Sequence, residues 1–360
     1  MRIGTVKEIK TLEFRVGLTP EGVRELSRRG HQIFVQAGAG AGIGLSDEGY
    51  AGAGAEILPD AKAVFDSCEL LVKVKEPQGG EIAMLRPNQT IFTYLHLAAD
   101  PEQVRGLLQS GATAIAYETI TDARGGLPLL APMSQVAGRM AALVGAQYML
   151  KPFGGRGLLM SGVPGVTSAK VGILGAGVAG MHAAEIAHGM RADVTVFDIA
   201  ADRLAAVDAA FSGQVKGLHS SHHAIQEFLP QADLIVGCVL VAGAAAPKLI
   251  LRDDLRRMKS GAVLVDVAID QGGCFETSHP TTHDNPVYTV DNVIHYCVAN
   301  MPGAVPLTST YALAAVTLPY VIALAEKDVD GALAADPHFA NGLNIQAGKI
   351  IHAAVRASFR

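Results

Sequence analysis

The chain has 360 residues, of which 49% are apolar and 18% charged, and its formal net charge is −5 at pH 7. A chain of this length is longer than one hydrophobic core ordinarily accommodates, so we expect about two domains. The apolar content excludes a disordered protein. The lack of a basic surplus argues against nucleic acid as the main partner. The four cysteines lie far apart without a CxxC motif, and the charged start MRIGTVKEIK lacks the apolar core of a signal peptide. We therefore expect reduced thiols in a cytoplasmic protein, without a disulfide framework or zinc site.

The first part of the chain alternates short apolar runs with helical patterns, which is typical of an α/β fold. Thr19 and Pro20 suit an N-cap followed by a first-turn proline, and they predict a helix that ends near Gly30. Residues 37–54 are rich in glycine and alanine and indicate a loop with a short helix. A further helix is expected at residues 101–108. The predicted strands are residues 3–6, 32–36, 70–74, 90–94 and 113–116.

Two polar residues stand just beyond the ends of predicted strands. Lys75 follows residues 70–74, and His96 follows residues 90–94. Ligands of open parallel α/β sheets bind beyond the carboxyl ends of the strands, so we expect both side chains to converge on one pocket. On position alone, a solvated lysine and a hydrogen-bonded structural histidine are the commoner alternatives.

The middle of the chain begins with a long helical pattern at residues 135–150. Ser134 is a natural N-cap for this helix, which we expect to connect two domains. A glycine-rich loop that carries Arg156 follows at residues 154–165.

The stretch from Lys170 to Asp198 has the order of a dinucleotide-binding unit. A short apolar run ends at GAGVAG, a helical pattern of small residues follows, and a second apolar run ends on Asp198. The three glycines permit a tight turn, the approach of backbone N–H groups to a pyrophosphate, and close packing of helix on strand. An acid about 20 residues downstream can accept hydrogen bonds from an adenosine ribose. The unit therefore predicts a dinucleotide site in preference to a purely structural glycine turn.

The βαβ pattern continues to about residue 305, and a helical pattern then runs to the end of the sequence. We expect an α/β fold with two Rossmann-like doubly wound domains separated by a cleft. The substrate domain would be discontinuous, residues 1–132 and 306–360, and the nucleotide-binding domain would be residues 133–305. The uncharged residues 307–325 favour a buried or oligomer-interface helix over a membrane span. Further strands are predicted at residues 215–218, 234–239, 263–268, 287–290 and 293–297, and helices at residues 204–211, 224–229 and 253–258.

Distinctive segments occur along nearly the whole chain: KEIKTLEFRVGLTP, LLVKVKEP, TYLHLA, PLLAPMSQVAGR, GGRG, VPGV, ILGAGVAG, VDVAIDQGGCFET and ANMPGAVP. As a set they resemble the alanine dehydrogenase family, whose fold is similar to the nucleotide-binding part of proton-translocating transhydrogenase. The resemblance implies NAD-dependent oxidative deamination of L-alanine to pyruvate and ammonium, and the reverse amination. It also implies a cytoplasmic homohexamer, and because the sequence has no convincing transmembrane segment, no membrane partner is expected.

The resemblance assigns roles to residues at matching positions. Arg15, Lys75 and Asn300 would hold the substrate. His96 and Asp270 would handle protons. The positions implied to line the cofactor are Asp198 at the adenosine ribose and Ser134, Gly175, Gly177, Val178, Ala179, Gly180, Arg203, Ser220, Val239, Leu240, Val267, Ala268, Ile269, Val298, Ala299 and Met301.

The chemistry of amino-acid oxidation agrees with these residue types. Arg15 offers a planar fork that matches a carboxylate, which a lysine cannot bind bidentately. Hydride transfer needs reacting atoms about 3–3.5 Å apart. Hydrolysis of the imine needs a group that titrates near neutrality, such as His96, and Lys75 would stabilise charge at the substrate oxygen. Asp270 would orient water or balance the ammonium, so the division of the proton transfers between His96 and Asp270 stays open.

Two other functions stay open at this point. A transhydrogenase-type nucleotide-binding subunit would pass hydride to a partner subunit and predicts a membrane-embedded partner. A non-catalytic NAD-binding module predicts a broken substrate site. Arg203 could accept a 2′-phosphate, but Asp198 should repel it, which favours NAD over NADP. The HSSHH run at residues 219–223 lacks partners at metal-binding spacing and predicts a polar loop, so no metal is expected.

Overall fold

The structure is a computed structural model that describes residues 1–239 and 246–359. The chain divides into two compact units. The first unit contains Met1–Met133 and Val305–Arg360, and the second contains Ser134–Ala304.

Strands and helices alternate through most of the chain. The described strands are β1 Arg2–Thr5, β2 Gln32–Gln36, β3 Ala55–Leu58, β4 Leu70–Val72, β5 Thr90–Thr93, β6 Thr113–Ala116, β7 Lys170–Leu174, β8 Asp193–Asp198, β9 Lys216–His219, β10 Leu234–Gly237, β11 Val263–Asp266, β12 Val287–Val290, β13 Val293–Tyr296, β14 Leu343–Gln346 and β15 Lys349–Ile350. The described α-helices are α1 Pro20–Arg28, α2 Asp47–Ala53, α3 Ala61–Ser67, α4 Gly79–Ile82, α5 Pro101–Ser110, α6 Ala131–Tyr148, α7 Val178–Gly189, α8 Ala201–Phe211, α9 His222–Phe228, α10 Pro306–Ala335, α11 Pro337–Ala340 and α12 Ala353–Ala357.

The first unit is built on an eight-stranded sheet with the order β15-β14-β6-β5-β4-β1-β2-β3. Strands β1 to β6 are parallel, and β14 and β15 add an antiparallel pair next to β6. The chain adds β2 and β3 on one side of β1 and then β4 to β6 on the other. This reversal leaves a crevice at the carboxyl ends of β1 and β4, which is where such sheets bind ligands.

The second unit is built on a seven-stranded sheet with the order β12-β13-β11-β10-β7-β8-β9. Its strands are parallel except for the β12–β13 hairpin at one edge. The chain reverses direction across the sheet between β7 and β10, so the corresponding crevice lies at the ends of these two strands. The two parallel-dominated sheets confirm the predicted α/β, Rossmann-like fold class.

Each unit has its own apolar core, because strands of a parallel sheet are covered on both faces and read as continuous apolar runs. The first core includes Val64, Phe65, Leu71, Ile91 and Leu107. The second includes Leu174, Phe197, Ile235, Leu264 and Phe275.

Local sequence signals account for several helix ends. Thr19 caps α1 as predicted, since its side chain accepts the N–H of Gly22 and Pro20 occupies the first turn. The prediction that Ser134 is the N-cap of the next helix is wrong. Helix α6 begins at Ala131, and Pro132 fits its first turn because the first N–H groups of a helix need no intrahelical partner.

Two predictions about connecting segments need correction. The chain is not helical from residue 305 to the end, because β14 and β15 form a hairpin there and β14 pairs with β6. Ala347 and Gly348, between the two strands, both have positive φ, at 48° and 69°, as a two-residue hairpin turn requires. Strand β3 and helix α3 were also not expected, although Asp60 caps α3 by accepting the N–H of Ala63.

Helix α10 is long and apolar enough to cross a membrane by length and composition alone. A third of its most apolar window is buried inside the structure, including Leu313, Val321 and Leu324. Leu307 and Tyr311 are exposed. The helix thus contributes to the first unit while keeping an exposed apolar surface.

Candidate active site

Three predicted substrate-site residues follow neighbouring strands of the first unit. Arg15 lies in the segment after β1, Lys75 after β4 and His96 after β5, and these strands are adjacent in the order β5-β4-β1. The segment after β1 runs close to β4, because a Cβ at Gly17 would lie 2.4 Å from the carbonyl oxygen of Val72. Arg15 and Lys75 therefore follow the two strands that border the crevice, and His96 follows the next strand at the same edge of the sheet.

The guanidinium of Arg15 is buried and held by Glu13. Its Nε donates to Glu13 Oε1 at 2.7 Å, and its second terminal nitrogen donates to Glu13 Oε2. The first terminal nitrogen faces Met133 Sδ at 3.2 Å. Burial alone would lower the pKa of Arg15, but the hydrogen bonds and charge of Glu13 outweigh this and raise it. The two carboxylate oxygens of Glu13 thus bind one edge of the guanidinium and fix its orientation.

Behind Lys75 lies a fully buried charge cluster. Lys73 Nζ is 3.0 Å from Glu8 Oε2 and 2.7 Å from Glu81 Oε1, and none of these side chains is more than 3% exposed. Glu8 Oε1 accepts the backbone N–H groups of Val74 at 2.7 Å and of Lys75 at 3.2 Å. One carboxylate thus binds donors from three consecutive residues and fixes the strand end that presents Lys75.

Burial and charge oppose each other within this cluster. Burial raises the pKa of Glu8, although the neighbouring Lys73 ammonium acts in the other direction. Burial would lower the pKa of Lys73, but Glu8 and Glu81 outweigh it and the net shift is upward. Lys73 is therefore a buried ammonium whose role is to compensate two carboxylates.

Lys75 is itself largely buried and faces a carboxylate. Its side chain is 11% exposed, and Nζ lies 3.6 Å from Glu76 Oε2. Glu76 is also paired with Lys10. Burial would raise the pKa of Glu76, but the two lysines outweigh it and lower it. A small anion or carbonyl oxygen near Lys75 would meet a fixed cation.

His96 has a left-handed backbone, with φ 50° and ψ 38°. This conformation is costly for a residue other than glycine and persists only where the surroundings enforce it. The carboxylate of Glu118 accepts the N–H of His96 at 2.7 Å and that of Leu95 at 3.2 Å. The imidazole is exposed and stacks against Tyr94, with ring centroids 5.9 Å apart, and the Tyr94 hydroxyl donates to the carbonyl of Leu129 at 2.6 Å.

Four charged residues that support these side chains were not among the predicted site residues. Glu8 and Glu118 accept backbone N–H groups of Lys75 and His96, and Lys73, just after β4, binds Glu8 and Glu81, the latter in α4. Lys73 had a visible signal, because it interrupts the apolar run LLVKV. Glu118, like His96, comes just after a predicted strand.

The glycine turn of the second unit has the geometry that a dinucleotide requires. Gly175 has a φ of 99°, and a Cβ at Gly180 would lie 1.7 Å from the Gly175 carbonyl oxygen. Gly177 caps α7 without a side-chain hydrogen bond, and a Cβ there would meet no atom within 4 Å. The turn is therefore tight, the helix packs close to the strand, and there is open space beside Gly177 at the start of α7, where Val178 and Ala179 follow. These residues fit a pyrophosphate.

Asp198 ends β8 and is buried, with its carboxylate bound to the backbone on both sides. Oδ2 accepts the N–H of Ala176 at 2.7 Å, and Oδ1 accepts the N–H of Ala200 at 2.9 Å. Arg203 is more than half exposed and lies 3.6 Å from Oδ2. Ser220 follows β9 and donates its backbone N–H to the Asp198 carbonyl at 2.9 Å. The Asp198 carboxylate therefore fixes the glycine turn. Each of its oxygens keeps a second lone pair, which could accept a hydroxyl of a ribose.

The other predicted cofactor positions follow the carboxyl ends of β10, β11 and β13. Val239 follows β10, and its Cγ2 would lie 3.1 Å from a Cβ at Gly175. Val267, Ala268, Ile269 and the exposed Asp270 follow β11, whereas Val298, Ala299, Asn300 and Met301 follow β13. Leu240 lies outside the described residues. Since these strands are parallel neighbours, the positions share the edge of the sheet that carries the glycine turn.

Two further predicted residues have defined surroundings. Ser134 shares a face of α6 with Gly138, where a Cβ would lie 2.1 Å from the carbonyl oxygen of Ala179. Ser134 is thus one helical turn from the contact between α6 and the start of α7. Asn300 has a φ of 116°, and its carbonyl lies 2.9 Å from His283 Nε2.

The four cysteines are buried and unlinked. Burial raises the pKa of the Cys68 and Cys297 thiols to about 11 and that of Cys274 to about 12, and it raises the pKa of Cys238 well above its usual range. They are therefore protonated packing residues rather than nucleophiles.

Comparison with known proteins agrees with this arrangement. Family models described as "Alanine dehydrogenase/PNT, N-terminal domain" and "Alanine dehydrogenase/PNT, C-terminal domain" match residues 4–137 and 141–353. The alanine dehydrogenase of Halomonas elongata is 57% identical over 359 residues, which cover 100% of this chain and 97% of that protein. The solved structure of an L-alanine dehydrogenase is 48% identical, with a TM-score of 0.96 and coverage of 100% of this chain and 99% of that one.

A transhydrogenase from Sinorhizobium meliloti has the same fold, with a TM-score of 0.83 over 98% of this chain and 100% of the other, but is only 24% identical. The family matches extend over both units, and they confirm the resemblance carried by the sequence motifs. This chain belongs to the alanine dehydrogenase/PNT family of oxidoreductases.

Proposed function

We propose that this oxidoreductase catalyses the reversible NAD-dependent oxidative deamination of L-alanine to pyruvate and ammonium. Its family membership supports this activity, and so does one structural observation. In each unit, the residues expected to act follow the carboxyl ends of neighbouring parallel strands at or beside the reversal of strand order, which is the edge where such sheets bind ligands. In the first unit these are basic residues suited to an amino acid or oxo acid, and in the second they form a phosphate-binding turn.

Three residues are proposed to bind the substrate. Arg15 binds the substrate carboxylate through its guanidinium, which Glu13 holds in place. Lys75 stabilises negative charge at the substrate oxygen and polarises the carbonyl of pyruvate in the reverse direction. Asn300 supplies an amide that can bind either a carboxylate or an amine.

His96 and Asp270 are proposed to handle protons. Oxidation at Cα gives an imine, and its hydrolysis requires that a water be deprotonated and the leaving amine protonated. His96 suits this exchange because an imidazole can both accept and donate a proton, and the backbone that carries its exposed ring is held by Glu118. Asp270 is expected to orient the water or balance the ammonium.

The cofactor is proposed to be NAD, which supplies the hydride acceptor when bound. The N–H groups at the start of α7 would hold its pyrophosphate, and Asp198 its adenosine ribose. The remaining predicted positions at the carboxyl edge of the second sheet, together with Ser134, would line it. Because Asp198 would repel a 2′-phosphate, NAD is expected to bind much more tightly than NADP despite the nearby Arg203.

We further propose a cytoplasmic homohexamer. Members of the family provide the precedent that the sequence resemblance implied, and the exposed apolar residues Leu307 and Tyr311 on α10 would suit contacts between copies. Size-exclusion chromatography with light scattering would test the assembly.

A spectrophotometric assay tests the activity directly. NADH should form with L-alanine and be consumed with pyruvate plus ammonium. Glycine, serine and other 2-oxo acids are measured in parallel to define the substrate preference. His96→Ala should abolish turnover while NAD binding by calorimetry is retained. Near-normal turnover of this variant would contradict the role of His96. NAD binding without oxidation of any amino acid by the purified chain would favour a transhydrogenase-type or non-catalytic role instead.

A further inference from the structure

Lys248 donates to three carbonyl groups of one turn in the second unit. Its Nζ lies 2.9 Å from the carbonyl oxygen of Gly273 and 3.1 Å from that of Phe275, and it also binds the carbonyl of Gly272. An ammonium carries three N–H donors, so the three carbonyls match its full donor set.

These carbonyls belong to the turn that follows Asp270. A short 3-10 turn, Ile269–Gln271, is followed by Gly272 at φ 88° and Gly273 at φ 77°. Two successive left-handed residues end the regular backbone pairing, so their carbonyls need donors from elsewhere. Lys248 supplies these donors with one cation.

Two side chains of opposite charge bind the backbone of this turn, one at its N–H groups and the other at its carbonyl groups. The carboxylate of Asp266 accepts the N–H of Cys274 at 2.8 Å, and a Cβ at Gly273 would lie 2.5 Å from Asp266 Oδ2. Lys248 meanwhile binds the carbonyls. A carboxylate on the N–H groups and an ammonium on the C=O groups together leave the turn little freedom.

The backbone on either side of Lys248 is joined to the same turn. Ala246 donates its N–H to the carbonyl of Gln271 at 2.9 Å, and Leu249 donates to that of Cys274 at 2.8 Å. Ile250 in turn accepts the N–H of Glu276 at 2.9 Å. These three bonds lie on both sides of Lys248, so the backbone directs its side chain at the turn although the residue is exposed.

We propose that Lys248 is a positioning residue for Asp270, with its ammonium serving as a built-in cation for the carbonyls of the Asp270 turn. This inference rests on the proposed catalytic role of Asp270. It has a distinctive consequence. If the side chain is removed, the three carbonyls form a cradle like those in which carbonyl oxygens replace the hydration shell of potassium. Lys248→Ala should therefore create a dependence on K⁺ that the native chain lacks.

The test compares four chains in KCl and in choline chloride of equal concentration. Lys248→Ala leaves space for an ion, whereas Lys248→Met fills that space without charge. Lys216→Ala is the matched control, because Lys216 pairs with Asp193 in the same unit and its side chain is 61% exposed. The fourth chain is the native protein. Alanine-dependent NADH formation, its pH profile and the thermal midpoint are measured for each.

In choline, Lys248→Ala and Lys248→Met should lose between about tenfold and a hundredfold in kcat, as small misplacements of reacting groups do. Their pH profiles should also shift, which a purely structural defect would not produce. KCl should restore most of the loss and raise the thermal midpoint for Lys248→Ala alone. Full activity of Lys248→Ala in choline would overturn the proposal, and so would equal responses of the Ala and Met variants to K⁺. If the native chain does not oxidise alanine, the proposed function fails, but the thermal midpoints still report on the cation cradle.

Discussion

The buried lysine behind Lys75 provides the sharpest test of the structure. Lys73→Met keeps the length of the side chain but removes the ammonium that faces Glu8 and Glu81. The side chains of Lys73, Glu8 and Glu81 are 0%, 2% and 3% exposed, so solvent cannot solvate the two carboxylates once the ammonium is removed. Breaking a buried ion pair by removal of one partner costs about 3–5 kcal/mol, and here two carboxylates lose their counterion. We expect a loss in this range at about pH 8.

The loss should depend on pH in a defined direction. Burial already raises the pKa of Glu8 above 4.5 in the folded protein, and removal of Lys73 raises it further because the opposing attraction is gone. A group with a raised folded-state pKa contributes stability that is fully present below the unfolded pKa and is lost as pH rises through the folded pKa. The variant should therefore be less impaired at about pH 5 than at about pH 8.

Urea denaturation at both pH values, followed by far-UV circular dichroism, measures the effect. Hydrogen exchange of the β1 and β4 amides assigns the transition to the first unit, since two units need not unfold together. Neutralising the whole cluster, with Glu8→Gln and Glu81→Gln added to Lys73→Met, should recover most of the loss. Lys62→Met, at an exposed lysine, should have little effect. A loss below about 1 kcal/mol in the free energy of unfolding of Lys73→Met at pH 8 would refute the inference that this variant buries uncompensated charge.

Three further predictions concern other parts of the chain. Gly180→Ala would place a Cβ 1.7 Å from a backbone carbonyl, so NAD affinity by calorimetry should fall more than about tenfold, and an unchanged Kd would contradict the close packing. Glu118→Ala removes the acceptor of the His96 N–H and should lower kcat by about tenfold or more. The control Asp122→Asn alters another acid that accepts backbone N–H groups and should leave kcat unchanged. Equal kcat values for the two variants would count against the positioning of His96 by Glu118. Burial lowers the pKa of His295 below 6.5, so its contribution to stability is present above that pH and is lost as pH falls. His295→Gln should therefore make the thermal midpoint fall less steeply between about pH 7 and pH 5. An unchanged fall would refute this role of His295.

Signals within a few residues of each other predicted much of the fold. Thr19 and Pro20 located the start of α1, and the glycine turn from Gly175 to Gly180 located both the strand and the helix beside it. In these cases the chemistry that sets the structure is local, because a cap or a tight turn is satisfied by its immediate neighbours. The parallel strands were recognisable as short apolar runs for the same reason.

The remainder depends on contacts between distant parts of the chain. Lys73 looked like an interruption of an apolar run, and only the pairing of β1 with β4 brings Glu8 to its ammonium. Glu118 acts through the backbone of His96, which no pattern of side chains reveals. Ser134 failed as a cap because Pro132 is tolerated in the first turn, so two starts were compatible with the sequence. The roles assigned to His96 and Asp270 stay predictions until the variants are measured.

The antiparallel neighbour of β6 has a consequence for biosynthesis. A ribosome makes β6 early but delivers β14 only after the whole second unit has been translated. At about 5–20 residues per second, this delay is roughly 10–45 s. During that time the backbone of β6 is open to pairing with a strand from another nascent chain. Rapid overproduction should therefore favour inclusion bodies, and slower synthesis or a chaperone that covers β6 should raise the yield of folded protein.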